Sequence, residues 1–409
     1  MFINFKSKDK LKKDSDENLK VDDIDAISFI DELIKEAINL KASDIHIETY
    51  LDEIRIRYRI YGKLKTVDKL NAKYHSILLT RMKLMSGMDI AEKRLPQDGR
   101  IDFYYNNRLI DLRISTIPTV DGEKAVIRIL DSEKFKVDKN NLGISKEDIK
   151  IIDNLLKYEN GMILVTGPTG CGKTTTLYAL IQELNKDDVN IVTIEDPVEY
   201  KIRGINQIQI NEKAGIYFNN TLRSILRQDP DIILVGEMRD IDTANIGIRA
   251  SITGHKVFTT LHTNDAYSTI LRLMDMGVED YLIKSSVKGV ISQRLVRRLC
   301  PNCRQKVKIK DDEKYLFEQF FDKDKINYKY EAVGCEKCID GYIGRLAIME
   351  ILPMNKEILL NINKDIDIKK LEKIGEKYNI KTIMEKGLGY VLEGRVSLED
   401  IMEISFSDV

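Results

Sequence analysis

Hydrophobic and polar positions along this chain change period several times, and each change marks a new element. Ile24, Ile27, Ile30, Ile34 and Ile38 recur at intervals of three and four, which predicts an amphipathic helix. The period then drops to two. In DIHIE and EIRIRYRI, Ile45, Ile47, Ile54, Ile56, Tyr58 and Ile60 alternate with His46, Glu48, Arg55, Arg57 and Arg59, which describes a hairpin with one apolar and one charged face. The charged face meets either a partner or water. A second helix is expected over about 72–88, followed by a hairpin in QDGRIDFYYNNRLIDLRIS that turns at Asn106-Asn107, and by a strand over 124–130. Residues 22–130 therefore predict a smaller α+β domain. Before it, residues 1–21 are lysine-rich and aperiodic, a flexible polar lead-in that reads as a solvated tail rather than a lipid contact. After it, the polar stretch 131–144 is expected to link two bodies.

From 145 to the end the pattern is different. A helix at about 145–157 precedes apolar, β-rich runs at 162–165, 190–194, 232–235 and 256–260, separated by helix-like segments. Buried runs spaced by helices predict a largely parallel sheet covered on both faces, an α/β domain over 145–409.

Candidate chemistry begins at the first of these runs. GPTGCGKT, at 167–174, fits the phosphate-loop pattern G-x-x-x-x-G-K-[ST] at every fixed position and opens into a helix-compatible segment. Gly167, Gly170 and Gly172 allow the bend, Pro168, Thr169 and Cys171 complete the loop, and the helix aims its positive dipole end at the same point. Lys173 is expected to reach the outer phosphates of ATP, Thr174 to ligate Mg²⁺, and Thr175 to complete the binding set. Cys171 reads as a small filler rather than a reactive thiol.

Glu237 lies two residues past the run at 232–235, where a carboxylate can orient or deprotonate the water that attacks a γ-phosphate. Gly236 holds the place where many phosphate-loop ATPases carry an aspartate. Glu195 and Asp196, which follow another apolar run, are the candidates for a second carboxylate. His255 and His262 flank the run at 256–260, and for His262 a packing role and a phosphate-sensing role are both open. Cations against developing charge are available from Arg223, Arg227, Arg239 and Arg249 here, and from Arg100, Arg113 and Arg128 in the first domain. The sequence does not choose among them.

Composition narrows the class. Sixty-five basic against sixty-six acidic residues leave a net charge of −1, which gives no bulk electrostatic reason to expect nucleic acid. No run reaches the length of a membrane span and no secretory signal is evident, so a cytoplasmic location is expected. Four of the five cysteines form two C-x-x-C pairs, Cys300 with Cys303 and Cys335 with Cys338. Such pairs predict a closed structural Zn²⁺ site in a lobe at about 298–341, with redox pairing as the alternative.

Taken together, the strings ASDIHIE, LPQDGRI, DLRISTIPTVDGEKAVIRIL, GPTGCGKTTTLYA, IEDPVEY, LRSILRQDPDIILVGEMRD and GHKVFTTLHTNDA closely resemble the secretion ATPases of type II secretion and type IV pilus assembly. The resemblance covers about residues 25–405. It implies a RecA-like P-loop NTPase domain preceded by a smaller α+β domain and carrying a zinc-binding lobe. It further implies a homo-hexameric ring at the cytoplasmic face of the inner membrane that hydrolyses ATP, engages an inner-membrane platform protein and moves pilin-like subunits indirectly, without contacting nucleic acid. In that family IEDPVE is the Asp box and GHKVFTTLHTN the His box. Carried over, catalysis falls to Glu195, Glu237, His262 and Arg227. Nucleotide contacts extend to His255, Arg100, Arg113, Arg128 and Arg223, some of the arginines acting across subunits.

The tetracysteine lobe and the closing GLGYVLEGRVSLEDIMEI resemble the assembly branch rather than the retraction branch. Most assembly ATPases carry an extra N-terminal docking domain. About twenty polar residues precede the first expected helix here, so docking is expected to use another surface or a short anchor. A DNA-uptake pseudopilus motor or nucleic-acid translocase, and a P-loop kinase with a small acceptor, are the alternatives. DNA-stimulated turnover marks the translocase, and turnover without phosphate release marks the kinase.

Overall fold

A computed structural model describes residues 25–131 and 138–406, and the chain divides into two compact units at Phe135/Lys136. The expected lead-in at 1–21 lies outside the described residues.

The first unit opens with helix α1 (Ala26–Asn39), which Asp25 caps by accepting from the Ile27 amide at 3.1 Å. Ile30, Ile34 and Ile38 of the predicted stripe are buried, whereas Ile27 faces outward. Strands β1 (Asp44–Tyr50), β2 (Glu53–Ile60) and β3 (Lys63–Asn71), helix α2 (His75–Met85), and strands β4 (Gln97–Tyr105), β5 (Arg108–Thr119) and β6 (Gly122–Leu130) follow. They build an antiparallel sheet in the order β3-β2-β1-β6-β5-β4. The period-two residues Ile45, Ile47, Ile54, Ile56 and Tyr58 are fully buried on one face. The β4–β5 turn falls at Asn106 and Asn107, both left-handed with φ of 51° and 57°, a conformation that asparagine tolerates. Strand β3 was not expected, because this edge strand mixes exposed and half-buried positions without a clean alternation.

The second unit begins at Lys136. Of the expected linker, residues 138–144 pack here, with Leu142 and Ile144 entering the core. Its elements run α3 (Lys146–Leu156), β7 (Gly161–Thr166), α4 (Lys173–Leu184), β8 (Ile191–Glu195), β9 (Asn206–Gln209), α5 (Phe218–Ile225), β10 (Ile232–Val235), α6 (Ile241–Ile252), β11 (Lys256–Leu261), α7 (Ala266–Asp275), α8 (Asp280–Ser286) and β12 (Val287–Leu299). After these come β13 (Gln305–Lys308), α9 (Asp311–Glu318), β14 (Tyr328–Glu331), β15 (Tyr342–Pro353), α10 (Lys356–Asn361), α11 (Ile368–Lys377), α12 (Ile383–Leu392) and α13 (Leu398–Phe406).

Seven strands form its sheet in the order β15-β12-β7-β11-β10-β8-β9, parallel except for β15. Alternate residues of each apolar run enter different cores: Leu164, Val235 and Val257 enter one, and Val165, Leu234 and Phe258 the other. That two-sided burial is why these strands read as apolar runs. The fold is α/β of the RecA-like P-loop type. Strands β12 and β15 pair over most of their length, with a register shift between Arg297 and Leu299, and lead into a two-stranded β13–β14 sheet beside the cysteines. That lobe is not held by cysteines alone: Phe317, Ile309 and Ile326 share a core with Leu388 and Val391 of α12.

Candidate active site

Neighbouring parallel strands deliver the reactive groups to one end of the sheet. β7 leads into the phosphate loop, β11 ends just before His262, and β10 ends two residues before Glu237. Because the order is β7-β11-β10, Lys173, His262 and Glu237 meet. His262 Nε2 lies 3.7 Å from Glu237 Oε2, and Arg239 forms an ion pair with the same carboxylate. Lys173 feels the charge of Glu237. Burial holds the Lys173 amine below the usual lysine range. Burial and the positive field of Lys173 together hold His262 below the usual histidine range, against the pull of Glu237. The imidazole is therefore neutral near pH 7.

The loop fits a triphosphate. Gly167 and Gly172 adopt φ of +140° and +90°, and a Cβ on Gly167 would stand 2.4 Å from the Gln293 carbonyl oxygen. Gly170, at φ +81°, has open space on its Cβ side. Lys173 donates to the Gly167 and Pro168 carbonyls at 2.8 and 3.1 Å, which keeps its charge at the loop. Helix α4 starts on Gly172 with no side-chain cap, so its dipole end is left to an anion. Thr174 and Thr175 follow in its first turn, half-buried. Pro168 and Thr169 are exposed, and the Cys171 thiol is buried and pushed up by that burial, consistent with a filler.

Glu195 sits apart from this group. It ends β8, one strand beyond β10, and is 4 % exposed. Its carboxylate accepts from the Tyr178 hydroxyl, from Thr193 Oγ1 at 2.5 Å and from Gln207 Nε2 at 3.3 Å. Burial nevertheless lifts it above the usual carboxylate range. The glycine at 236 has a steric reason, since a Cβ there would come within 3.2 Å of Glu195 Cα and of the Ile194 carbonyl oxygen.

His255 is not brought to the loop. It precedes β11 at the start of the strand, its carbonyl accepts from the Gly161 amide, and its Nδ1 lies 3.0 Å from the Ala250 carbonyl oxygen. The length of the strand, roughly 20 Å, separates it from the phosphate end. Arg223 and Arg227 are exposed on and just after α5, and Arg227 turns back onto the Arg223 carbonyl at 3.0 Å and Ser224 Oγ at 3.2 Å.

In the first unit, Arg100, Arg113 and Arg128 stand directly opposite one another across β4, β5 and β6, and the row continues through Asp44 to Arg59. Four arginines there share two carboxylates. Asp111 accepts from Arg100 at 2.7 Å and lies 3.7 Å from Arg113, while Asp44 lies 3.2 Å from Arg128 and 3.7 Å from Arg59. Like charges opposed across strands repel, so the row favours an added anion.

The four cysteine sulfurs lie within 4.8 Å of one another and could hold a metal ion. Cys300–Cys335, Cys303–Cys338 and Cys335–Cys338 sulfur separations are 3.9, 3.6 and 3.6 Å. A tetrahedral thiolate site with bonds of about 2.3 Å requires sulfurs about 3.8 Å apart.

Sequence reasoning missed Gln293. Its carboxamide accepts from Thr176 Oγ1 at 2.6 Å and donates to the Cys171 carbonyl at 2.7 Å, bracing the loop from β12. The available signal was the polar trio Ser292, Gln293 and Arg294 set between the apolar residues of GVISQRLV.

A phosphate loop whose lysine meets a strand-end carboxylate and a neutral histidine defines a P-loop nucleoside triphosphatase. The comparisons place it more closely. The model of the "Type II/IV secretion system protein" family matches residues 20–403. The type II secretion system ATPase E of Vibrio cholerae is 44% identical over 385 residues, 94% of this chain and 76% of that one. A putative type II secretion system protein E of Escherichia coli K12 is 45% identical over 380 residues, 93% and 76% of the two chains. Among solved structures, the pilus retraction motor PilT with bound ADP is 29% identical with a TM-score of 0.61, covering 92% of this chain and 96% of that one. The Legionella pneumophila ATPase DotB, 19% identical, shares the fold at a TM-score of 0.68 over 96% and 98% of the two chains. The chain belongs to the type II/IV secretion system protein family and is a motor ATPase of that secretion and pilus-assembly class.

Proposed function

We propose that this chain is the ATP-driven subunit of a homo-hexameric ring on the cytoplasmic side of the inner membrane, which drives assembly of a pilus or secretion pseudopilus through an inner-membrane platform protein. The observation that carries the reading is the meeting of Lys173, Glu237 and His262 at the mouth of a phosphate loop. Among the described residues no helix is long and apolar enough to cross a membrane, which suits a chain that acts from beside one.

In this reading the loop amides and Lys173 hold the β- and γ-phosphates, and Thr174 supplies a hydroxyl to Mg²⁺, which would neutralise the phosphate oxygens. Glu237 orients and deprotonates water, and His262, neutral, hydrogen-bonds near the γ-phosphate. Arg227 and Arg223 are exposed cations available to developing charge, and the opposed row of Arg100, Arg113 and Arg128 is an anion-accepting surface. Glu195 acts through Tyr178 on α4, holding the helix that carries the loop. The four cysteines take Zn²⁺ as a structural ion that ties the lobe to the end of β12.

The test replaces the chromosomal copy with Lys173→Ala. Surface fibres or a secreted protein should be lost while the variant accumulates normally. Unaltered secretion and fibres in that strain, or wild-type turnover that rises with added DNA and falls steeply with salt, would overturn the reading.

A further inference from the structure

Three consecutive residues of β12 grip both sides of the site. Side chains alternate across a strand, so Gln293 faces one way and Ser292 and Arg294 the other. On the first face the Gln293 carboxamide bridges the Cys171 carbonyl, within the loop, and the Thr176 hydroxyl, in the first turn of α4. Gln293 is 1 % exposed and Thr176 0 %, so neither bond has water as a substitute. A Cβ on Gly172 would stand 3.0 Å from Gln293 Nε2, which shows how closely the loop lies on this amide. On the second face Ser292 Oγ and Arg294 Nη2 both donate to the Asn264 carbonyl, at 3.1 and 2.8 Å, two residues beyond His262.

Resting on the ATPase reading of this site, we propose that Gln293 is a positioning residue that sets the phosphate loop, and that Ser292 and Arg294 set the His262 segment against it. One strand is then the common reference for the groups that hold the phosphates and the group that meets the γ-phosphate. Without the carboxamide, the Cys171 carbonyl and Thr176 hydroxyl are buried and unpaired, and the loop relieves that cost by turning the Cys171 peptide. The turn moves the adjoining amides of Gly172 and Lys173. Loss of the Ser292 hydroxyl leaves the loop alone and loosens only the segment that carries His262. The two faces therefore predict different kinetic defects.

The test uses the full chain, with equilibrium binding of a fluorescent ATP analogue in Mg²⁺ and steady-state phosphate release. Gln293→Met should bind the analogue about tenfold more weakly while unfolding within a few degrees of wild type. Ser292→Ala should keep wild-type affinity and lose kcat, by about threefold or more. Gln293→Glu keeps the shape and the acceptor for Thr176, but sets a carboxylate against the Cys171 carbonyl until it is protonated. Its affinity should be low at pH 8 and recover toward wild type at pH 6, a recovery that Gln293→Met cannot show. Cys171 and Arg294 adjoin Gln293, and Lys173, Glu237 and His262 stand beyond them at the phosphate end in every variant, so each profile is read against wild type at the same pH. Wild-type affinity in Gln293→Met, or a Gln293→Glu deficit unchanged at pH 6, overturns the proposal. If Gln293→Met fails to fold, the Gln293→Glu profile decides. Failure of the wild type to bind the analogue would count against the ATPase reading instead.

Discussion

Glu195 and Glu237 leave adjacent parallel strands, β8 and β10, and face opposite circumstances. Glu195 is sealed in, with donors from Tyr178, Thr193 and Gln207, and burial lifts its carboxyl. Glu237 has a side chain 15 % exposed and is surrounded by Arg239, His262 and the charge of Lys173. A general base needs access to water, and of the two carboxylates Glu237 is the more open to it. Glu195 has its oxygens taken up by three donors instead. One strand of displacement, about 4.8 Å, separates these two surroundings.

The largest break in that comparison is Glu237→Gln. It should lower kcat by about a thousandfold and leave nucleotide affinity within about twofold, as phosphate release and equilibrium binding report. His262→Ala should cost about a hundredfold in kcat, the scale of one lost transition-state hydrogen bond, measured the same way. Glu195→Gln should cost only about tenfold, through a small shift of α4. A Glu195→Gln defect as deep as that of Glu237→Gln would erase the distinction.

A third carboxylate sharpens it by stability alone. Glu350 on β15 accepts from the Ala266 amide at 2.8 Å, and burial lifts it to about 7 from the ordinary 4.5. Between those values the folded chain holds a proton that the unfolded chain has released. This contribution is complete below pH 4.5 and is lost as pH rises to about 7, a change on the order of 3 kcal/mol. Glu350→Gln should flatten that slope and raise the unfolding temperature above pH 7 by several degrees, as thermal scans across pH would record.

Much of this was legible beforehand because parallel strands and phosphate loops carry strong local signals. The runs at 162–165, 190–194, 232–235 and 256–260 became β7, β8, β10 and β11, since every residue of them but Asn190 is buried. Asn106-Asn107 marked its turn by left-handed tolerance. What stayed hidden depends on sheet order, which no local pattern encodes. Motif spacing offered Glu195 as a second carboxylate beside Glu237, and only the order β7-β11-β10-β8 sets it one strand further from the loop. His255 and His262 flank one run, yet a parallel strand sends its two ends to opposite sides of the sheet. Gln293 was silent for the same reason: its partners are more than a hundred residues away in the sequence.

The register shift between Arg297 and Leu299 bears on how this chain tolerates change in length. It lies between the bracing glutamine and the first cysteine, so residues added to or lost from the lobe are absorbed beyond it. A single residue inserted between Gln293 and Arg297 falls inside a stretch where β12 pairs residue for residue with Met349 to Arg345 of β15. Slipping the strand by one position would turn its sides over, exposing the loop to Ser292 or Arg294 and leaving Asn264 to an amide of the wrong reach. A change in length beyond Arg297 therefore meets the register shift first, while one beside Gln293 falls on paired strand.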